Sequence, residues 1–557
     1  MLTELKPYSV MKNILKLLGL CALVAVAASC SRSRAEQMKL AERLSIDCDP
    51  EVLALVGDKI PVNLTVTYPD GYFHPKATLE VTPVLVYSDG NEQVGPTFTY
   101  QGEKVLDNYR VVPSSGATVG QHVDFAYEEG VEKSYLELRS VAYYKGRPIS
   151  IPAIKVADGT ILTQMLASPH GTYSYKQDAY QAVLHEQAEG QVMYDYNSSV
   201  VKNNELRSAS VKELQAALEA IAADPRRSVT GNHVVAYASP EGGQAYNAKL
   251  SDQRAASAQK AWSQVTGEKA PTDLEIRSVG QDWEGFQEAI EKSNLSDKDL
   301  ILRVLSMYSD PAVREREIRN MSQVYTEINK NVFPELRRAR FITDVDYQNY
   351  TDEELVELSN RAIDVLDEEG LLRVASIAET PARKTQLYEQ AVRRFNSDRA
   401  RFNLAALALD DERPDAAARQ LSQIKEQDAD VLNALGVVEL QRGDRQAAAN
   451  YFRRAGTPEA KANLGLVDLL DGKYDAAARQ LKDGGMNAAI ANILAGNLDA
   501  AEAAVTCQCA KAEYIRAIIA ARRGNATAVR THLDAVSQKD PKLYERSRTD
   551  AEFALYR

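Results

Sequence analysis

Residues able to grip a charged ligand are concentrated in one stretch, Tyr237-Ala-Ser-Pro-Glu-Gly-Gly-Gln-Ala-Tyr-Asn-Ala-Lys-Leu-Ser-Asp-Gln-Arg-Ala255. It carries a hydroxyl at Ser239, a carboxylate at Glu241, an amide at Asn247 and a guanidinium at Arg254. A guanidinium presents a planar fork of donors that matches a carboxylate. Asn247 makes sense as a helix cap, whereas Arg254 is hard to justify as structure alone. No catalytic constellation accompanies them: the chain has no His-x-x-x-His pair, no Gly-x-Ser-x-Gly elbow, no Gly-x-x-x-x-Gly-Lys loop and no Gly-x-Gly-x-x-Gly turn. The six histidines are scattered, and His233 sits in an alternating run that reads as strand packing. Cys507-Gln-Cys509 has the look of a redox or metal pair, yet zinc wants four ligands and only His532 is near in sequence. Small packed thiols are the expectation there, and the chain is read as a non-enzyme with no cofactor and no metal.

The helix half of the stretch, with Tyr246, Asn247, Leu250, Ser251, Arg254 and Ala255, resembles the Tyr-Asn-x-x-Leu-Ser-x-x-Arg-Ala signature of OmpA-like peptidoglycan-binding domains. The resemblance implies that Arg254 and Asn247 face the wall peptide, and that an acid fifteen residues before the arginine holds the ammonium of diaminopimelate. Ser239 stands at that position. Loss of one partner from a charge-paired contact typically costs about 2 to 5 kcal/mol, so peptidoglycan binding is expected to be weakened. Glu241 could supply the missing charge if its loop curls toward Arg254; as a loop acid it reads as solvated.

The elements needed to position these residues are legible around them. Gln191–Tyr196 alternates like a strand, Ser210–Ala223 carries Val211, Leu214, Leu218 and Ile221 at helical spacing, and Asn232–Tyr237 is a second strand leading into the motif. Asp273–Val279 supplies a third strand. Leu336–Ile342 is similar to the family's closing Asn-Arg-Arg strand, with Leu for Asn. An OmpA-like domain over 180–348 follows, interrupted by a helical insertion at 281–334 that is long for a connection in a compact domain.

The N-terminus sets the expected compartment. Met11-Lys-Asn-Ile-Leu-Lys16 is basic, Leu17–Val26 is apolar, and Ala27-Ala-Ser-Cys30 ends in a cysteine, the pattern of a secretory signal. It is similar to a bacterial lipobox. That implies a signal peptide over 1–29, acylation of Cys30, and a linker over 30–44. Several acyl chains give lasting membrane attachment where one does not. Ser31-Arg-Ser-Arg-Ala follows the cysteine without an adjacent acid, and the resemblance then implies an outer-membrane lipid anchor facing the periplasm.

A net charge of −12 and 45% hydrophobic residues argue for folded cores and against a nucleic-acid partner, whose phosphates demand a basic surface. After Cys21 leaves with the signal and Cys30 is acylated, Cys48, Cys507 and Cys509 remain, an odd number that allows no full disulfide framework. Between 45 and 170 short alternating runs close at Pro69-Asp-Gly71, Ser88-Asp-Gly90 and Lys145-Gly146, which predicts a β-sandwich-like domain. This region is similar to those preceding OmpA-like domains in Bacteroidetes envelope lipoproteins.

From Thr351-Asp-Glu-Glu354, a capping box, the chain turns helical. Leu435, Gly436, Gly443, Ala448, Phe452 and Ala455 match the tetratricopeptide pattern, and Leu464, Gly465, Gly472, Ala477 and Leu481 repeat it. Later turns fall at Gly496 and Gly524, and Leu404, Ala405, Ala417 and Leu421 form an earlier copy without a turn glycine. The fold expected is thus multidomain α+β: sandwich-like domain, OmpA-like domain, and a tetratricopeptide-like solenoid over 351–557 that docks a protein partner. Two functions follow. One is a tether from the outer membrane to peptidoglycan. The alternative is a periplasmic assembly scaffold for an outer-membrane or surface-appendage system, its OmpA-like domain no longer holding the wall.

Overall fold

The computed structural model describes residues 43–557 apart from 269–270, 272, 296 and 483. The signal segment and Cys30 lie outside the described residues. Two compact units emerge: one combines the N-terminal region to Gln177 with Thr380–Arg557, the other spans Asp178–Glu379.

The first unit begins with β1 (Ser45–Asp49), β2 (Val52–Ala54), β3 (Lys59–Tyr68), β4 (Ala77–Tyr87), β5 (Glu92–Val94), β6 (Phe98–Gly102), β7 (Arg110–Val112), β8 (Ala117–Ala126), β9 (Ser134–Tyr144) and β10 (Arg147–Ile161). They form a three-stranded sheet, β1-β3-β8, and a seven-stranded sheet, β2-β10-β9-β4-β6-β7 with β5 on β4. Alternation does the work: Ile60, Val62 and Leu64 of β3 meet Leu79, Val81, Leu136 and Leu138 of the other sheet in one buried core. Two inward faces sharing one core make the expected sandwich. Cys48 is buried in it.

The second unit holds β11 (Val183–Met193), α1 (Ala209–Ala223), β12 (Arg227–Ala238), α2 (Gln244–Thr266), β13 (Glu275–Gln281), then α3 (Trp283–Lys292), α4 (Lys298–Met307), α5 (Pro311–Asn320), α6 (Ser322–Asn331), and β14 (Arg338–Gln348). The sheet order is β11-β14-β12-β13, so the last strand inserts between the first two. Val211 and Leu214 of α1 and Ala255, Ala258 and Trp262 of α2 pack on its inner face with Val234, Ala236 and Phe341. The inserted helices α3–α6 bury a core of their own around Phe286, Ile290, Ile301 and Ile328. The sequence pattern groups α7 (Asp352–Arg361) and α8 (Glu368–Ile377) with the repeats, but they belong to this unit. Arg226 reaches Glu354 at 2.7 Å and Ala179 donates its N–H to Glu369 at 2.7 Å, tying them to the sheet.

The repeats follow α9 (Pro381–Phe395) as five hairpins: α10 (Asp398–Asp410) with α11 (Pro414–Leu421), α12 (Ala429–Gln441) with α13 (Arg445–Ala455), α14 (Pro458–Leu470) with α15 (Tyr474–Gln480), α16 (Met486–Leu494) with α17 (Leu498–Ala504), and α18 (Ala510–Arg522) with α19 (Ala526–Lys539). Gly443, Gly472, Gly496 and Gly524 take φ of 87°, 78°, 82° and 73° at the hairpin turns, and in the first hairpin Glu412 adopts φ 54° in glycine's place. Gly436 admits the close approach of helices, since a Cβ there would lie 2.4 Å from the Phe452 ring.

Sandwich and repeats lock together inside the first unit. Gln164 is buried, accepts the Gly57 N–H at 2.9 Å and donates to the carbonyls of Gly57 and Leu470 at 3.0 and 3.1 Å. Tyr474 donates to the Gln164 oxygen at 2.7 Å. Among the described residues no helix is long and apolar enough to cross a membrane.

Candidate functional site

Around Arg254 the structure closes what the sequence leaves open. Asn247, in the first turn of α2, donates its amide to the carbonyls of Ser239 and Gly242 at 3.1 and 2.7 Å, folding the 239–243 loop over the helix start. Arg254 lies two turns further, 1% exposed. Its guanidinium donates to the carbonyls of Ser198 and Tyr237 at 2.9 Å each and to that of Asp195 at 3.4 Å, with the Tyr194 ring 4.9 Å away. The fork that a ligand carboxylate would use is held by main-chain oxygens. Burial is the main reason its pKa is pushed down to about 10, and the positive charge of Arg337 acts the same way.

Glu241 is not the solvated loop acid of the sequence reading. Its side chain is only 9% exposed and accepts a bidentate pair from Arg337 at 2.8 and 3.0 Å, plus the Ser239 hydroxyl at 2.7 Å. The loop does curl inward, but toward Arg337 rather than Arg254. Its neighbour Arg338 donates to buried Asp282 at 2.9 Å, whose carboxyl burial raises above the usual range against the pull of Arg338. The insertion reaches the loop as well, Arg319 of α5 donating to the Glu241 carbonyl at 3.4 Å. The structure thus gathers Ser239, Glu241, Asn247 and Arg254 in one place, with their polar groups engaged by one another, by main-chain carbonyls and by Arg337 just before the closing strand. His233, read as packing, sits between Glu275 at 2.9 Å and Asp344 at 2.5 Å on the outer face of the sheet.

A second site, absent from the sequence reading, lies in the repeats. Residues 168–176 run as an extended strap along the array, held by asparagines from successive hairpins. Asn487 accepts the Ser168 N–H and donates to the Ser168 carbonyl, both at 2.9 Å. Asn463 brackets Thr172 in the same way at 2.7 and 2.8 Å, and Asn403 brackets Lys176 at 2.8 and 2.9 Å. Asn433 adds a bond to the Thr172 carbonyl at 2.9 Å and accepts from Asn463 at 2.9 Å. Each bracket pairs with one residue's N–H and C=O, as a neighbouring β-strand would, so it grips main chain whatever the side chain. Side chains then fix the register: the Tyr173 hydroxyl donates to Asp410 at 2.5 Å, Tyr175 to the other oxygen of the same carboxylate, and Lys176 to Asp428 at 2.8 Å and to Asp430. Burial and the Asp410 charge hold both tyrosine hydroxyls well above their ordinary range. What the array holds is this chain's own segment 168–176. Asparagines recurring nine or ten residues before the turns of the first four hairpins were the available signal.

The expectation of packed thiols at Cys507 and Cys509 fails, since both are exposed. Among the described residues no group of His, Cys, Asp and Glu is arranged to hold a metal.

The described residues comprise one unit in which a β-sandwich is strapped to a helical-hairpin array and a second, sheet-and-helix unit. No family model matches the chain and no curated protein matches it. Among solved structures, the chain is similar to the APC/C hetero-tetramer Cut9-Hcn1, at 15% identity and TM-score 0.30 over 34% of this chain. It spans 44% of that chain, less than half its length. It is also similar to a tetratricopeptide repeat protein from Parabacteroides merdae, at 13% identity and TM-score 0.29 over 35% of this chain and 88% of the other.

Proposed function

We propose that the protein is a non-catalytic scaffold of the bacterial envelope, anchored through an acylated Cys30 in the outer membrane and facing the periplasm. In this reading the OmpA-like domain serves assembly of an outer-membrane or surface-appendage system instead of holding peptidoglycan. The observation that carries it is the engagement of Arg254: its donors meet main-chain carbonyls, and the one nearby acid, Glu241, is neutralised by Arg337. A wall peptide would have to displace both sets of bonds and would find a serine, not an acid, at 239.

Co-sedimentation of residues 31–557 with purified peptidoglycan tests this. The chain stays in the supernatant, and Ser239→Asp does not bring it down, because the guanidinium remains engaged. Pelleting that free diaminopimelate competes away would reinstate the wall tether.

A further inference from the structure

The loop between the fourth and fifth hairpins carries Cys507-Gln508-Cys509, and its two sulfurs lie 2.8 Å apart, inside the contact distance of unbonded sulfur atoms, with both residues exposed. Among the described residues the remaining cysteine, Cys48, is shut in the sandwich core. The loop is braced rather than loose. Arg516 donates to the carbonyls of Val505 and Cys507 at 3.1 and 2.9 Å, and Lys539 donates to that of Gln508 at 2.5 Å. Three carbonyls are thereby drawn toward cations of α18 and α19, which leaves the sulfurs on the outer side.

Cys509 also precedes the first residue of α18, where helix N–H groups are free. Burial alone would raise its thiol, but the Cys507 hydrogen bond and the N–H groups of Ala512 and Lys511 outweigh it and lower the pKa. A thiolate that is both favoured and reachable is the nucleophile of thiol–disulfide exchange, and a second thiol in contact is what resolves the resulting mixed disulfide.

We infer that Cys507 and Cys509 form a dithiol–disulfide exchange site whose substrate class is an external disulfide, small-molecule or on another protein. The Cys509 thiolate attacks the R′-bearing sulfur of R–S–S–R′, forming the mixed disulfide Cys509–S–S–R′ as the S–S bonding pair leaves with RS⁻, which takes a proton from water. The Cys507 thiol gives its proton to solvent and attacks the Cys509 sulfur, expelling R′S⁻, which is protonated in turn. The balance is one dithiol and one disulfide converted to an intraloop disulfide and two thiols: the loop is oxidised by two electrons and the external disulfide reduced by two. The envelope assignment plays no part in this inference.

Residues 31–557, which begin after Cys30, equilibrated in oxidised and reduced glutathione, read it out by intact mass and peptide mapping. The expected result is a Cys507–Cys509 crosslink with no glutathione adduct, while Cys48 stays unmodified. Cys507→Ser traps one glutathione on Cys509, and it does so at least about tenfold faster than Cys509→Ser traps it on Cys507. Two persistent independent adducts on the wild-type chain, or two thiols that remain free in excess oxidised glutathione, would overturn the inference. Equal trapping rates in the two variants would overturn the assignment of Cys509 as the attacking thiol.

Discussion

Replacing Arg254 separates a structural arginine from a ligand-binding one, because the two predict different shifts in stability. A binding arginine waiting in an open cleft is hydrated and makes few bonds to its own fold, so its removal leaves stability nearly unchanged. Here Arg254 has two bonds at 2.9 Å and a longer one at 3.4 Å to carbonyls from two separate segments. Hydrogen bonds to a charged group contribute about 1.5 to 3 kcal/mol each. The two short ones therefore give about 3 to 6 kcal/mol, set against a desolvation cost of several kcal/mol for the buried charge. Stranded carbonyls of Ser198 and Tyr237 and the lost stem packing add to the deficit. Arg254→Ala is expected to destabilise the Asp178–Glu379 unit by about 2 to 4 kcal/mol. For a unit of this size each kcal/mol lowers Tm by roughly 2 to 4 °C, so the transition falls by roughly 5 to 15 °C. Differential scanning calorimetry of residues 31–557 reads this, with Arg254→Met as a companion that keeps the stem volume and loses the same bonds. A Tm that does not move, or rises, in both variants would refute the reasoning.

Three more outcomes follow from the strap and the repeats. Asn463→Ala removes two bonds to Thr172 and one to Asn433, about 2 kcal/mol net, so trypsin cleavage after Lys176 should accelerate by roughly 30-fold if it samples local opening; an unchanged rate would mean that the brackets do not hold the strap. Gly436→Ala drives a Cβ to 2.4 Å from the Phe452 ring, an overpacking cost of about 1 to 3 kcal/mol, visible as a lower urea midpoint. The strap should also have a pH window. Asp428, whose pKa is lowered from 3.8 in the fold because its bonds to Lys176 and the Val431 amide outweigh burial, stabilises above that value and loses its effect as pH falls below it. Tyr173, raised from 10.0 by burial and by Asp410, favours docking below 10 and loses that effect as pH climbs beyond. Proteolytic protection of 168–176 should therefore be greatest between about 4 and 10, and a flat profile from 3 to 11 would contradict it.

What was legible depended on whether a signal was local. The sandwich strands and the repeat turns were, since alternation and turn glycines are written in neighbouring residues. In β11 only the end near Gln191 announced itself: His185, Gln187 and Glu189 face outward, His185 bonded to Asp346 and Gln187 to Asp344, while Glu186 on the other face meets Arg227, so polar residues fill the first half of a strand paired along its whole length. Arg254 reads as hard to justify by structure alone because its partners are main-chain carbonyls, of Ser198 56 residues away and of Tyr237 17 residues away, which no side-chain pattern records. Glu241 looked solvated because Arg337 lies 96 residues away. The strap asparagines sit on otherwise apolar helix faces and read as tolerated polar residues until residues 168–176, short of any element, are seen to run beside them.

The most direct test of the account is isothermal titration of residues 31–557 with a soluble muropeptide containing diaminopimelate. The account predicts no saturable heat for the wild-type chain, because the arginine, the loop acid and the loop amide are already engaged. Saturable binding that Arg254→Lys weakens, in a chain shown to be folded, would contradict it and return the protein to the wall.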